Sequence, residues 1–282
     1  MTHRPSADPL TDRRRIILHL GFPKTGTTTI QAMLQANAGT LGPGIAVSPK
    51  DDLTFQLRKN ALRYMRSGGL WVWKWRHARA LVDMVRRLDA MNFNTLIISD
   101  ENMIGIESGK IFDRPGRVDY AAWIARLDRA LAGYDVVYVL YTRAVGPWHV
   151  SAYNQAFKMR RVNVSYADWS RVHDYMSGPD RIIAGLRAVV GERLQVLDMA
   201  DETASGKILG HRLLDLAGVS QDRIDAVTLP PRKNESLPQA GVEFLRHVSE
   251  TGQFGRRQYR DLVRLVSANR HLFAKDQPEN RT

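Results

Sequence analysis

Cysteine is absent from the 282-residue chain. Disulfides, thiolate metal sites, iron–sulfur clusters and cysteine nucleophiles are thereby excluded. The composition suits a reducing compartment, and cytoplasmic location is the expectation. No apolar run reaches the roughly 18 residues that cross a bilayer. Arg13-Arg14-Arg15 before Ile16-Ile17-Leu18-His19-Leu20 imitates a targeting signal. That run is too short for a signal's hydrophobic region and leads into Gly21-Phe22-Pro23, not into small residues fit for cleavage. Acidic residues are the scarce charge, 29 Asp and Glu against 41 Lys and Arg, for a formal +12. Such a field draws anions, whether nucleotides, acidic glycans or an anionic membrane surface. The eight histidines show no metal-ligand spacing, so no metal is assigned. Helix-turn-helix, zinc-finger and RNP signatures are also missing, so nucleic acid is not expected as a partner.

What remains is globular: 44% hydrophobic and 25% charged residues. Residues 1–14 are polar, carry Pro5 and Pro9, and read as a disordered basic leader; 276–282 read as a polar tail. Between them, 15–275 read as one domain. Short apolar runs at 16–20, 95–99, 135–141 and 194–198 read as buried parallel strands. Helical spacing follows at 27–37, 74–90, around Tyr120–Leu131, after Pro147, after residue 178 and at 206–217. Residues 39–60 read as loop with a short helix, and 105–118 and 228–238 as loops. The last 40 or so residues read as helical. Strands alternating with helices imply an α/β fold, a central parallel sheet with helices on both faces.

The most specific segment is Leu18-His19-Leu20-Gly21-Phe22-Pro23-Lys24-Thr25-Gly26-Thr27-Thr28. A strand, a glycine-containing turn and a helix start aim backbone N–H groups and a helix's positive end at an anion. Lys24 adds a point charge, and Thr27 and Thr28 add hydroxyl donors. A nucleotide P-loop, G-x-x-x-x-G-K-[ST], shares the spacing of Gly21 and Gly26 but has its lysine where Thr27 stands. Here the cation sits on the turn.

Pro23-Lys24-Thr25-Gly26-Thr27-Thr28 resembles the P-K-[ST]-G-T-T loop of the sulfotransferase superfamily, including bacterial sulfotransferase-like proteins. The resemblance implies a P-loop-type domain and a transferase of the EC 2.8.2 type. Its donor is 3′-phosphoadenosine 5′-phosphosulfate (PAPS), used without a metal, and its acceptor is a hydroxyl, by resemblance that of a carbohydrate or glycolipid. In that family the loop binds the 5′-phosphosulfate. The 3′-phosphate is met by an arginine at a later strand end and a serine eight residues on, which correspond to Arg143 and Ser151. A late basic loop corresponds to Arg232 and Lys233, although the family's R-K-G-x-x-G glycines are absent. Thr29 stands where cytosolic members often carry an adenine-stacking tryptophan.

Sulfuryl transfer to a hydroxyl needs a base beside the sulfur. The strand Leu96–Ser99 leads into Asp100-Glu101, and strand carboxyl ends face the ligand crevice of such sheets. Glu101 is the first choice and Asp100 the second, since successive residues point opposite ways; either could instead be a structural or capping acid. His149 reads as a surface histidine or a nucleotide contact, and His19 as a satisfied core residue. Trp71, Trp73 and Trp75 alternate as in a short strand or aromatic wall. The basic face of helix 74–90 is open to an acidic acceptor, and the unassigned positive charge to peripheral contact with an anionic membrane. Two rival functions stay open: an ATP- or GTP-dependent kinase or NTPase, for which Leu96–Glu101 imitates a Walker-B strand, and a non-catalytic anion- or glycan-binding module.

Overall fold

The computed structural model describes residues 13–103, 120–160, 164–172, 179–231 and 237–273. In chain order these form β1 (Arg15–Leu20), α1 (Thr27–Asn37), β2 (Ile45–Val47), α2 (Phe55–Arg66), α3 (Trp71–Ala90), β3 (Thr95–Asp100), α4 (Tyr120–Ala130) and β4 (Asp135–Thr142). There follow α5 (Val145–Arg160), α6 (Tyr166–Val172), α7 (Asp180–Val190), β5 (Leu194–Asp198), α8 (Met199–Ala204), α9 (His211–Leu216), α10 (Gln221–Asp225), α11 (Gln239–Glu250) and α12 (Arg256–Ala268). The chain divides into two compact units, one of Met1–Ala144 with Gly178–Pro231 and one of Val145–Ser177 with Arg232–Thr282.

The first unit is built on a five-stranded, all-parallel sheet in the order β2-β3-β1-β4-β5. Its central strand shows why the runs carry no polar alternation: Ile16 to Leu20 are all buried, as in a strand covered on both faces. Ile17, Ile97, Val139 and Tyr141 join Ile30, Met33 and Leu34 of α1 and Leu213 and Leu214 of α9 in one cluster. On the opposite face, Tyr138 donates its hydroxyl to Asp128 of α4 at 2.8 Å. Asp128 also holds Arg193 through both carboxylate oxygens, at 2.7 and 2.8 Å. These contacts keep the Asp128 carboxyl below its usual range against the opposing effect of burial.

β1 runs to β3 on one side through β2, and the chain then crosses to β4 on the other. This reversal makes the carboxyl ends of β3, β1 and β4 the switch point at which open α/β sheets bind ligands. Leu20 pairs with Asp100 of β3 and with Leu140 of β4. With strands about 4.8 Å apart, the three loops leave the sheet within about 10 Å of one another.

Four local expectations are corrected. The 39–60 stretch contains a three-residue edge strand, β2, whose brevity hides its pattern. The helix expected at 206–217 is the shorter α9, His211–Leu216, and a separate helix, α8, precedes it at Met199–Ala204. Gly206 and Gly210, at φ 68° and 102°, fall in the break between them, a conformation open to glycine. The helix after β4 begins at Val145, with Pro147 inside its first turn, where the missing N–H costs nothing. Trp71, Trp73 and Trp75 lie on helix α3, not on a strand. The 105–118 loop lies outside the described residues.

In the second unit, Trp148, Tyr153 and Phe157 of α5 and Trp169 of α6 are buried, with Tyr259 of α12. Tyr153 meets Trp169 edge-on at 5.6 Å and Phe157 at 5.8 Å. An aromatic cluster thus replaces a sheet as the core of this unit.

Candidate anion site at the carboxyl ends of β3, β1 and β4

The loop after β1 is shaped by two residues with positive φ, Lys24 at 68° and Gly26 at 80°. Thr25 is buried and donates its hydroxyl to the Phe22 carbonyl at 2.7 Å, closing the turn. Gly26 is the N-cap of α1 and supplies no side chain to cap it; the first turn carries no acidic residue. The Thr29 N–H donates to the Gly26 carbonyl at 2.9 Å; the amides of Thr27 and Thr28 have no intrahelical acceptor and form an uncompensated positive end.

Two glycines allow this loop to be enclosed. A Cβ on Gly21 would lie 1.8 Å from the Cα of Glu101, and one on Gly26 would lie 2.3 Å from Leu209 Cδ2. Gly21 donates its N–H to the Asp100 carbonyl at 3.1 Å, which fixes the end of β3 against the loop. Leu209 is held from behind. Buried Glu202 accepts from the N–H groups of Gly210 (2.8 Å) and Arg212 (2.7 Å) and from the Tyr141 hydroxyl (2.9 Å).

Lys24 is half-buried on the turn. Burial lowers its pKa; nearby Glu101 raises it and Arg143 lowers it. Arg143, one residue past β4, brings Nη1 to 3.5 Å from the Lys24 carbonyl, a marginal hydrogen bond. An arriving anion would offset the desolvation that depresses Lys24. Thr27 is 4% exposed, and its Oγ1 is buried without a hydrogen-bond partner. Buried hydroxyls are normally paired. This one lies beside an uncapped helix start and a lysine, so the residues present fit a phosphate- or sulfate-bearing ligand. Thr28 is exposed, and Pro23 is buried.

The two acids after β3 have different surroundings. Asp100 is buried and accepts from Thr54 Oγ1 at 2.5 Å and from the Asn102 N–H at 2.9 Å, with Arg58 Nε at 3.4 Å. Glu101 is 33% exposed, with Lys50 Nζ at 3.7 Å. Behind the loop, His19 pairs through Nδ1 with Ser99 Oγ at 2.8 Å, and Gln31 donates to the Ser99 carbonyl at 3.0 Å. His19 is a core residue satisfied at one nitrogen only; Nε2 has no partner, and burial lowers its pKa to about 4.

The structure therefore brings Pro23–Thr28, Asp100, Glu101 and Arg143 to one end of the sheet. Ser151 and His149 are buried on α5, in the second unit. Arg232 and Lys233 lie outside the described residues. Lys50, Arg58, Glu202 and Leu209 carry no motif in the sequence. They act through contacts made at separations of 42 residues or more or through a packed loop, which no spacing rule reports.

No family model matches the chain, and no curated protein matches it. Among solved structures, the sulfotransferase from Alicyclobacillus acidocaldarius is similar to it at 15% identity and a TM-score of 0.47. The alignment covers 89% of this chain and 96% of that one. A likeness this distant establishes neither family nor activity.

Proposed function

We propose that the protein is a PAPS-dependent sulfotransferase acting on a hydroxyl acceptor, a carbohydrate or glycolipid. The observation that carries the reading is the loop itself. Its cation stands on the left-handed turn at Lys24, and the first helical residue, Thr27, offers a buried unpartnered hydroxyl. A nucleoside-triphosphate loop has a lysine at that helical position. The Walker-B reading of the β3 end is weakened independently, because the Asp100 carboxylate is already taken by Thr54, Asn102 and Arg58.

PAPS, when bound, supplies the sulfuryl group. Glu101, half-buried and beside the loop, takes the acceptor proton as the acceptor oxygen bonds to sulfur. Asp100 is less suited, since proton transfer requires reach to the substrate. The bond from sulfur to the phosphate oxygen breaks on the opposite side. Lys24, Thr27, Thr28 and the first-turn amides of α1 stabilise the charge that collects there. Arg143 meets the 3′-phosphate bidentately; for Ser151, Arg232 and Lys233 a role at that phosphate rests on the family resemblance alone. The reading requires no protein-bound metal.

Calorimetric titration with adenosine 3′,5′-bisphosphate and with ATP–Mg tests the reading. The expected result is bisphosphate binding at about micromolar Kd, near 8 kcal/mol, lost in both Lys24→Ala and Arg143→Ala. Tight ATP–Mg binding without bisphosphate binding refutes it. Glu101→Gln is expected to keep bisphosphate binding and lose sulfuryl transfer; retained transfer would reassign the base.

A further inference from the structure

A groove of about 420 Å³ lies between α2 and α3, within the size range of small-ligand clefts, roughly 300–1,000 Å³. Five cations and two carboxylates line it. One cation is already neutralised: Arg87 grips Asp52 through both carboxylate oxygens, at 2.6 and 2.7 Å. Asp83 is approached by Arg86, from outside the groove lining, at 3.8 Å. Lys59, Arg63, Arg76 and Arg79 are left with no carboxylate partner among the described residues. Aromatic rings hold them instead. Arg63 and Arg76 lie 4.7 and 4.9 Å from the Trp73 ring centre, and Arg79 lies 5.8 Å from that of Trp75. Lys59 lies 5.3 Å from that of Phe55. Four like charges around one cleft repel one another unless an anion enters.

The groove is also tied to the candidate base. Lys50 meets Glu101, and Thr54 and Arg58 meet Asp100. Asp52 and Leu53 of the same segment line the groove. Arg63 stands five residues beyond Arg58 on α2, about 7.5 Å along the helix axis. A chain molecule with one unit at Glu101 would have to pass Lys50 and follow α2 beyond Arg58 to bring its next units to the arginines.

We infer that this groove binds an anionic oligosaccharide and serves as the acceptor-side subsite of the enzyme. Its use for the acceptor rests on the sulfuryl-transfer reading; its anion binding does not. Spaced carboxylates or sulfates on a saccharide match spaced guanidiniums, which bind them bidentately. A bilayer surface presents a plane and cannot enter a cleft. Single-stranded nucleic acid binds by stacking bases on open aromatic faces; Trp73, beside the groove, is engaged by two guanidiniums, and the exposed rings of Trp71 and Trp75 do not line the groove.

The test uses the full chain and a hyaluronan hexasaccharide as probe, with maltohexaose as the neutral control. The expected result is salt-sensitive binding of the hexasaccharide and none of maltohexaose. Affinity should fall at least tenfold in Arg63→Gln/Arg76→Gln, with adenosine 3′,5′-bisphosphate binding unchanged. Lys59→Ala/Arg79→Ala, which leaves Trp73 and its two arginines in place, should show the same loss and guards against misfolding of the first variant. No hexasaccharide binding, or binding that both variants keep, overturns the inference. So does arginine-dependent capture by phosphatidylglycerol vesicles or by a dT12 oligonucleotide in preference to the hexasaccharide. If the hexasaccharide binds but the bisphosphate does not, the sulfotransferase reading fails and the saccharide site stands.

Discussion

Gly21→Ala is the most direct probe of how the end of β3 meets the anion loop. The new Cβ would lie 1.8 Å from the Glu101 Cα and 2.6 Å from both its carbonyl carbon and its Cβ. Carbon atoms settle at about 3.5–4.0 Å, so one backbone must retreat by about 2 Å. Neither can do so cheaply, because Leu20 and Asp100 are in register in the sheet and Gly21 N–H holds the Asp100 carbonyl. Overpacking typically costs about 1–3 kcal/mol, and the strained hydrogen bond about 1 kcal/mol more. A loss of about 3 kcal/mol would lower Tm by roughly 6–12 °C for a unit of this size. Urea unfolding and a thermal scan measure it. Gly133→Ala is the control: a Cβ there meets nothing within 4 Å, and the change should stay within about 0.5 kcal/mol. If Gly21→Ala stays within 1 kcal/mol of the parent (about a third of the expected loss), the close approach of Glu101 to the loop is wrong.

Thr27→Val should separate folding from binding. Removing a buried hydroxyl that has no partner should leave the ligand-free protein as stable or up to about 1 kcal/mol more so, while bisphosphate affinity falls about tenfold in calorimetry. Glu202→Ala, which strips three hydrogen bonds from a buried carboxylate, should destabilise by about 3 kcal/mol in urea; Tyr141→Phe should cost about 1 kcal/mol. Acid should act through His19, whose pKa falls from 6.5 to about 4 on burial. The unfolded chain then binds more protons between those values. His19 therefore contributes stability above pH 6.5 that is lost progressively toward pH 4, about 2 kcal/mol by pH 5. His19→Gln should flatten that part of the pH–stability curve; an unchanged slope refutes the assignment.

Local pattern carried much of the fold. Four strands and most helices were legible within a few residues, since buried parallel strands are short unbroken apolar runs and amphipathic helices repeat every 3.6 residues. The anion loop was legible because its function needs specific residues in sequence: a glycine for the αL cap, a lysine on the turn and hydroxyls at the helix start. Trp71, Trp73 and Trp75 misled because alternation over five residues also fits a helix. There Trp71 and Trp75 share one exposed face, at 76% and 54% exposure, while Trp73 turns toward Arg63 and Arg76.

An α/β chain with no thiol chemistry, a surplus of positive charge and an anion-seeking loop after the first strand can be read without any tertiary contact. All of these follow from composition or from neighbours within about ten residues. Which of Asp100 and Glu101 turns into the core depends on Thr54 and Arg58 from another segment, and so is set by the folded contacts. Strand order decided that Arg143 meets Lys24, 119 residues away in sequence. The packing of α2 on α3 decided where part of the unassigned charge gathers. Such choices are energies of contact between distant segments, and those energies exist only once the chain has folded.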